Sequence, residues 1–246
     1  IMKKIILFTF LMVKSLLLTG CLPVIQGAST VNSVVSVSND RRSAGTILDD
    51  KTLYFKLVAW SMDDAKTEDA HLNFLIYDKM VLIAGEASTN EMRTYISKQA
   101  QLQAPQIKQV FNEIKVGPNS GLLSRAKDSA ITLQVEALFH DQEVFHPIHV
   151  RVMTEAQTIY LMGAVTKREA DKAAKIASKA KGARKVVKLF DYLKTRPAAE
   201  IEQDRQKEIA AQKEIERKKQ QAEIADKKAE LKRQIKELDG TTGTPF

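Results

Sequence analysis

The chain holds one cysteine in 246 residues, so no disulfide can form within it. Aromatic residues make up 6%, with a single tryptophan, and there are only ten glycines and six prolines. A core here must come mainly from aliphatic side chains and alanine. The apolar run from Ile5 to Val13 is cut off by Lys14, short of the about 20 residues that cross a bilayer. No nucleophile elbow, phosphate-cradling glycine loop or pair of catalytic acids occurs. The sequence therefore predicts no enzyme and no cofactor.

The lone cysteine closes the stretch Leu18-Thr19-Gly20-Cys21. Lys3 and Lys4 give a basic start, an apolar run follows, and small residues lead to the thiol. That order is the mark of a bacterial lipoprotein precursor, in which Cys21 takes the lipid. Residues 1–20 then form the signal peptide and residues 21–46 a tether. Leu22 stands where an aspartate would retain the protein in the inner membrane, so the outer membrane is the expected address, facing the periplasm. The plainer alternative is an ordinary secretory segment with a chance cysteine.

The net charge of +8 is unevenly spread. Residues 119–196 hold 14 basic and 8 acidic groups, a balance of +6, whereas residues 197–246 hold 11 of each. A periplasmic address leaves nucleic acid out as partner for the basic segment. Anionic phospholipid or an acidic protein surface fits it better.

Two segments between 47 and 195 match at an offset of 78, from Gly85 and Gly163. The same offset pairs Leu53 with Ile131, Leu57 with Val135, Ala59 with Ala137 and Glu91 with Glu169. Each copy reads helix, strand, strand, helix, strand. In the second, Ile131, Val135 and Leu138 recur at helical spacing. Ile148, Val150 and Val152 alternate with polar residues, as in a half-buried strand. Ile159–Met162 and Val186–Leu193 read as further strands. Ala170, Ala173, Ala174 and Ala177 line a helix that Gly182 should cap. The hairpin turns, Asp78-Lys79 and Ala156-Gln157, lack the glycine such turns favour. Copies of about 70 residues have thin cores and should lean on each other.

Asp40-Arg41-Arg42-Ser43-Ala44-Gly45-Thr46, Phe111-Asn112-Glu113-Ile114 and the run from Tyr160 to Ala170 are distinctive. With the leader and the repeat, they resemble the dual BON-domain periplasmic lipoproteins of Gram-negative bacteria. The resemblance covers about residues 2–195. It implies an α+β fold of two tandem αββαβ BON domains, at 47–117 and 124–195, each with two helices on a small mixed sheet. It implies no catalysis, binding of anionic phospholipid, and support of envelope integrity and outer-membrane protein assembly. It also implies a lipid face on the first helix of the second domain, around Ala130, Ile131, Gln134 and Val135.

The residues themselves favour another face. Lys167, Arg168, Lys172, Lys175, Lys179, Lys181, Arg184 and Lys185 crowd one segment, with only Glu169 and Asp171 against them. Arg168, Lys172, Lys175 and Lys179 follow at four- and three-residue steps, so they line one helix face. Such a row suits a diffuse anionic surface, although a merely solvated face has the same pattern.

Residues 197–246 form a charged tail, helical from Ala198 to Leu238 by composition. Glu214 with Lys218 and Glu223 with Lys227 sit at pairing distance. Ile224, Leu231 and Leu238 keep a seven-residue step with charged residues between, so a solvated helix and self-association through 198–238 both remain open. The tail and the BON sheets could instead make the protein an interaction scaffold for envelope machinery. His140, His146 and His149 cluster without enough ligands for zinc. Asp49-Asp50 and Asp63-Asp64 read as helix-end electrostatics or a carboxylate pair, and Trp60 as core or interface.

Overall fold

The computed structural model describes residues 40–241, and side chains as far as residue 236. The leader, Cys21 and the tether up to residue 39 lie outside the described residues, as do residues 242–246. The chain divides between Asp191 and Tyr192 into two units.

The first unit contains two modules with the same order of elements. The N-terminal module is α1 (Ala44–Asp63), β1 (His71–Tyr77), β2 (Met80–Ala87), α2 (Asn90–Gln103) and β3 (Gln109–Val116). The C-terminal module is α3 (Leu122–His140), β4 (Arg151–Glu155), β5 (Thr158–Thr166), α4 (Lys167–Ala177) and β6 (Lys185–Leu193), whose last two residues fall past the unit boundary. In the first sheet β2 is central, antiparallel to β1 and parallel to β3. In the second β5 is central, antiparallel to β4 and flanked by β6. This is the α+β architecture the pattern predicts.

The central strands explain the continuous apolar runs. Val81 and Ile83 pack beneath the helices with Leu53, Leu57 and Ile96. Ile159, Leu161 and Val165 do the same with Ile131, Val135 and Ala173. The alternate residues, Leu82 and Ala84 on β2 and Tyr160 and Met162 on β5, meet in a shared layer between the two sheets. Both faces of β2 and β5 are thus covered, and each needs apolar residues throughout. The shared layer supplies burial that a core of about 70 residues lacks.

The glycine-free hairpins have a specific support. Asp78, Lys79, Ala156 and Gln157 all adopt positive φ, between 47° and 64°, which costs about 1 kcal/mol or more per residue without glycine. In the first turn the buried Asp50 carboxylate accepts the N–H groups of Asp78 and Lys79 at 2.7 and 2.9 Å. In the second, Asp128 accepts those of Ala156 and Gln157 at 3.0 and 2.8 Å. Asp50 is therefore a turn clamp, and not the helix-end charge its neighbour Asp49 suggests. Asp128→Ala should lower stability by about 3 kcal/mol, as two charge-assisted bonds vanish. Adding Gln157→Gly should restore part of it, because glycine takes positive φ freely. Urea unfolding checks both, and an Asp128→Ala variant as stable as the parent would refute the clamp.

Three boundaries differ from expectation. Residues 40–46, read as tether, are pinned: Arg42 pairs with Asp40 and Asp50, and Ser43 caps α1. β4 starts only at Arg151, because Pro147 opens a 3-10 turn to the buried His149. Helix α4 ends at Ala177 with Ser178 as its cap, so Gly182, at φ +90°, serves the following loop instead.

The second unit carries α5 (Ala198–Thr241), 44 residues or about 66 Å at 1.5 Å per residue. The Pro197 carbonyl accepts the N–H groups of Glu200 and Ile201. Glu223–Lys227 at 2.7 Å and Glu214–Lys218 at 3.8 Å make the spaced pairs the sequence predicts. Ile201, Ile209, Ile215, Ile224, Leu231 and Ile235 are exposed. No described helix is long and apolar enough to cross a membrane.

Candidate functional site

Helix α4 begins with a capping box. Thr166 Oγ1 accepts the Glu169 N–H, and the Glu169 carboxylate accepts the Thr166 N–H at 2.8 Å. Ala170, Ala173 and Ala177 turn inward against the sheet. The small side chains bring the helix close, and the long cations are left on the outside. Lys167, Arg168, Lys175, Lys179, Lys181, Arg184 and Lys185 are exposed, and Lys172 is half-buried. Arg168, Lys172 and Lys175 share one face of α4, whereas Lys179 stands in the turn after it. Asp171 is occupied by Lys188, at 3.0 Å. Glu169 is occupied by Arg41, at 2.8 Å. Both acids that could neutralise the row are therefore engaged elsewhere.

Helix α3 lies beside α4 over the same core. The side chain of Gln134 accepts the Lys181 N–H and joins α3 to the basic loop. Of the four residues expected to form a lipid face on α3, Ile131 and Val135 are buried in the core and Gln134 is half-buried. Only Ala130 looks outward. This corrects the expected face: side chains that hold α3 to the sheet cannot also touch a membrane. The outward row is Leu123, Ala126, Ala130, Leu133 and Ala137, with Leu122 beside it. Its alternating steps of three and four residues were readable in the sequence. The inward row has the same spacing, so periodicity alone does not tell which of the two faces the sheet.

The Asp40-Arg41-Arg42 motif spans both modules. Arg41 makes a bidentate pair with Glu169 at 2.8 and 3.0 Å and donates to the Ala164 carbonyl at 2.7 Å. Arg42 pairs with Asp50 at 2.9 Å and lies 4.3 Å over the Tyr77 ring. Burial alone would raise the Glu169 carboxyl, but Arg41 and Thr166 hold it below its ordinary value. In the shared layer, burial with the Glu113 and Glu155 charges pushes the Tyr160 phenol up to about 12.

Other candidates have structural duties. Asp64 accepts from Tyr95 Oη at 2.6 Å, from Trp60 Nε1 at 3.1 Å and from the Lys66 N–H at 3.0 Å. The Tyr95 bond, with the Lys66 N–H, holds its carboxyl below the usual range. Trp60 packs at the edge of the first core. His140 is exposed at the end of α3, and the His146 and His149 rings lie 5.7 Å apart.

Residues 127–194 match the BON domain. Over 181 residues the chain is 33% identical to outer membrane lipoprotein DolP of Haemophilus influenzae, covering 73% of this chain and 92% of that protein. The chain belongs to the DolP family of BON-domain outer-membrane lipoproteins. A further family relative is the 21 kDa hemolysin of Actinobacillus pleuropneumoniae, 30% identical over 155 residues, 63% of this chain and 79% of that one. Among solved structures, CdsD of the Chlamydia trachomatis type III secretion system matches at 13% identity. It covers 60% of this chain and 65% of that chain, with a TM-score of 0.24, too slight to bear on fold or function.

Proposed function

We propose that the protein is a non-catalytic outer-membrane lipoprotein, anchored at Cys21 and facing the periplasm. In this reading its C-terminal module meets anionic phospholipid, and it supports envelope integrity and outer-membrane protein assembly. The N-terminal module is read as a second, diverged BON domain, because it repeats the element order and the Asp50 clamp. The observation that carries the lipid reading is the layer formed by α3 and α4. Cations without an acidic partner among the described residues stand beside an exposed leucine and alanine row.

Two physical points favour a surface ligand over a solvated face. Lys167 and Arg168 occupy the first turn of α4, where positive charge opposes the helix dipole by about 0.3–1 kcal/mol each. Helix stability therefore gives no reason for them. Near an anionic bilayer each cation contributes about 1 kcal/mol, within a screening distance of about 8 Å. The exposed leucines add the apolar contact that interfacial helices use. An acyl anchor would hold this face near the bilayer at high effective concentration.

Charge reversal of Lys172, Lys175 and Lys179 to Glu should abolish binding of a Cys21→Ser form to anionic vesicles. Parent binding should fall steeply between low and high salt, as vesicle co-sedimentation would record. Unchanged co-sedimentation of the reversed variant would remove the lipid role from this face.

The scaffold reading keeps one support and loses another. The sheets expected to engage partners are covered on both faces of their central strands. The exposed isoleucines and Leu231 of α5 remain as a surface for outer-membrane assembly machinery or for self-association.

A further inference from the structure

A second cluster lies at the seam between the modules. His71 on β1, Glu86 on β2 and Glu155 at the end of β4 converge there from three strands. His71 Nδ1 is 3.1 Å from Glu86 Oε2 and 3.9 Å from Glu155 Oε1, and the three ligand atoms all lie within 4.8 Å of one another. Their side chains are 13%, 9% and 4% exposed. Glu155 Oε1 is buried and has no hydrogen-bond partner among the described residues. We propose that His71, Glu86 and Glu155 form a binding site for a divalent transition-metal cation, best suited to zinc.

The donor set and its surroundings support this. Two carboxylates converge on one imidazole in a poorly hydrated place, where unbalanced carboxylate charge is costly and a bound cation would offset it. Zinc binds imidazole and carboxylate at about 2.0–2.2 Å, which sets neighbouring ligand atoms about 3.3 Å apart. The observed 3.1 and 3.9 Å fall on either side of that spacing. The nitrogen donor favours zinc over magnesium or calcium, which prefer all-oxygen sets.

Outer contacts already orient the ligands. Asn73 Nδ2 donates to Glu155 Oε2 at 2.6 Å and leaves Oε1 directed at His71. Ser120 donates to Glu86 Oε2 from its N–H at 3.3 Å and from Oγ at 3.2 Å. Such supports typically matter about as much as the ligands themselves. The residual exposure of His71 gives the ion a way in. Because the ligands come from both modules, and Ser120 lies between them, a bound cation would lock the seam.

The test is titration of zinc chloride into the full chain, with Cys21→Ser in every arm so that no thiol competes. Calorimetry should find one equivalent bound. At about 100-fold excess over Kd, Tm should rise by roughly 5–10 °C. Glu155→Gln and His71→Gln should each weaken binding by about tenfold or more, whereas His140→Gln and His146→Gln should leave it unchanged. X-ray absorption of the zinc-loaded parent, which needs no variant to fold, should show one imidazole with oxygen ligands. No uptake, uptake that survives Glu155→Gln and His71→Gln, an equal response to magnesium chloride, or a shell of two or more imidazoles would each overturn the site.

Discussion

Gly85→Ala should be among the most damaging single substitutions in the described chain, at about 4 kcal/mol. A Cβ on Gly85 would sit 1.9 Å from the His71 carbonyl oxygen and 2.9 Å from its carbon. Both atoms are backbone, so no side-chain rotation relieves the clash. Gly85 also has φ +134°, a conformation that L residues rarely adopt, which adds about 1–3 kcal/mol of strain. Overpacking at such a place typically costs another 1–3 kcal/mol. Gly163→Ala meets the His149 carbonyl oxygen at 2.1 Å without the φ penalty, so it should cost less. A loss of about 4 kcal/mol corresponds to a fall in Tm of roughly 10 °C. Trp60, the only tryptophan, reports on the N-terminal core by fluorescence. Equal Tm values for Gly85→Ala and Gly163→Ala would refute the φ contribution.

The two glycines show what was legible. Their offset of 78 marks the matched segments, because identity at fixed spacing is a property of the string. Their cause is a carbonyl 14 positions upstream, on β1 for Gly85 and in the turn before β4 for Gly163, which the string does not display. The helices and central strands were legible because apolar periodicity reports burial directly. The turn-clamping role of Asp50 and Asp128 was not legible: Asp50 reads as helix-end charge beside Asp49, and Asp128 has no local mark, although 128 − 50 is again 78. A carboxylate in the first two turns of a helix has a local explanation, and the turn it clamps lies 28 residues away. The cations around α4 are legible as a group, but the helix ends at Ala177 and so is shorter than a row running on to Lys179 suggests. The seam cluster left no local signal: His71 and Glu155 are 84 positions apart.

Loss of Arg41 should be nearly as severe as loss of Gly85. Its guanidinium and the Glu169 carboxylate have side chains only 4% and 2% exposed. Truncating one partner of a buried pair leaves the other charge unbalanced, typically at a cost of about 3–5 kcal/mol. Arg41→Ala should fall in that range. Arg41→Met with Glu169→Gln should lose less, because no charge is stranded and a glutamine can still close the capping box with Thr166. The pH dependence follows from the depressed Glu169 pKa. A carboxylate held below its unfolded value, about 4.3, contributes stability that is fully present above that pH. The contribution fades as pH falls through the folded value. Parent and Arg41→Ala should therefore differ most near pH 7 and converge below about pH 4, in urea midpoints measured across that range. A gap that stays constant with pH would mean that Arg41 acts through packing and its bond to the Ala164 carbonyl. A gap that closes ties the distinctive arginine motif to the helix that bears the basic row. The motif would then fix the end of the tether against the proposed lipid-facing layer through one buried ion pair.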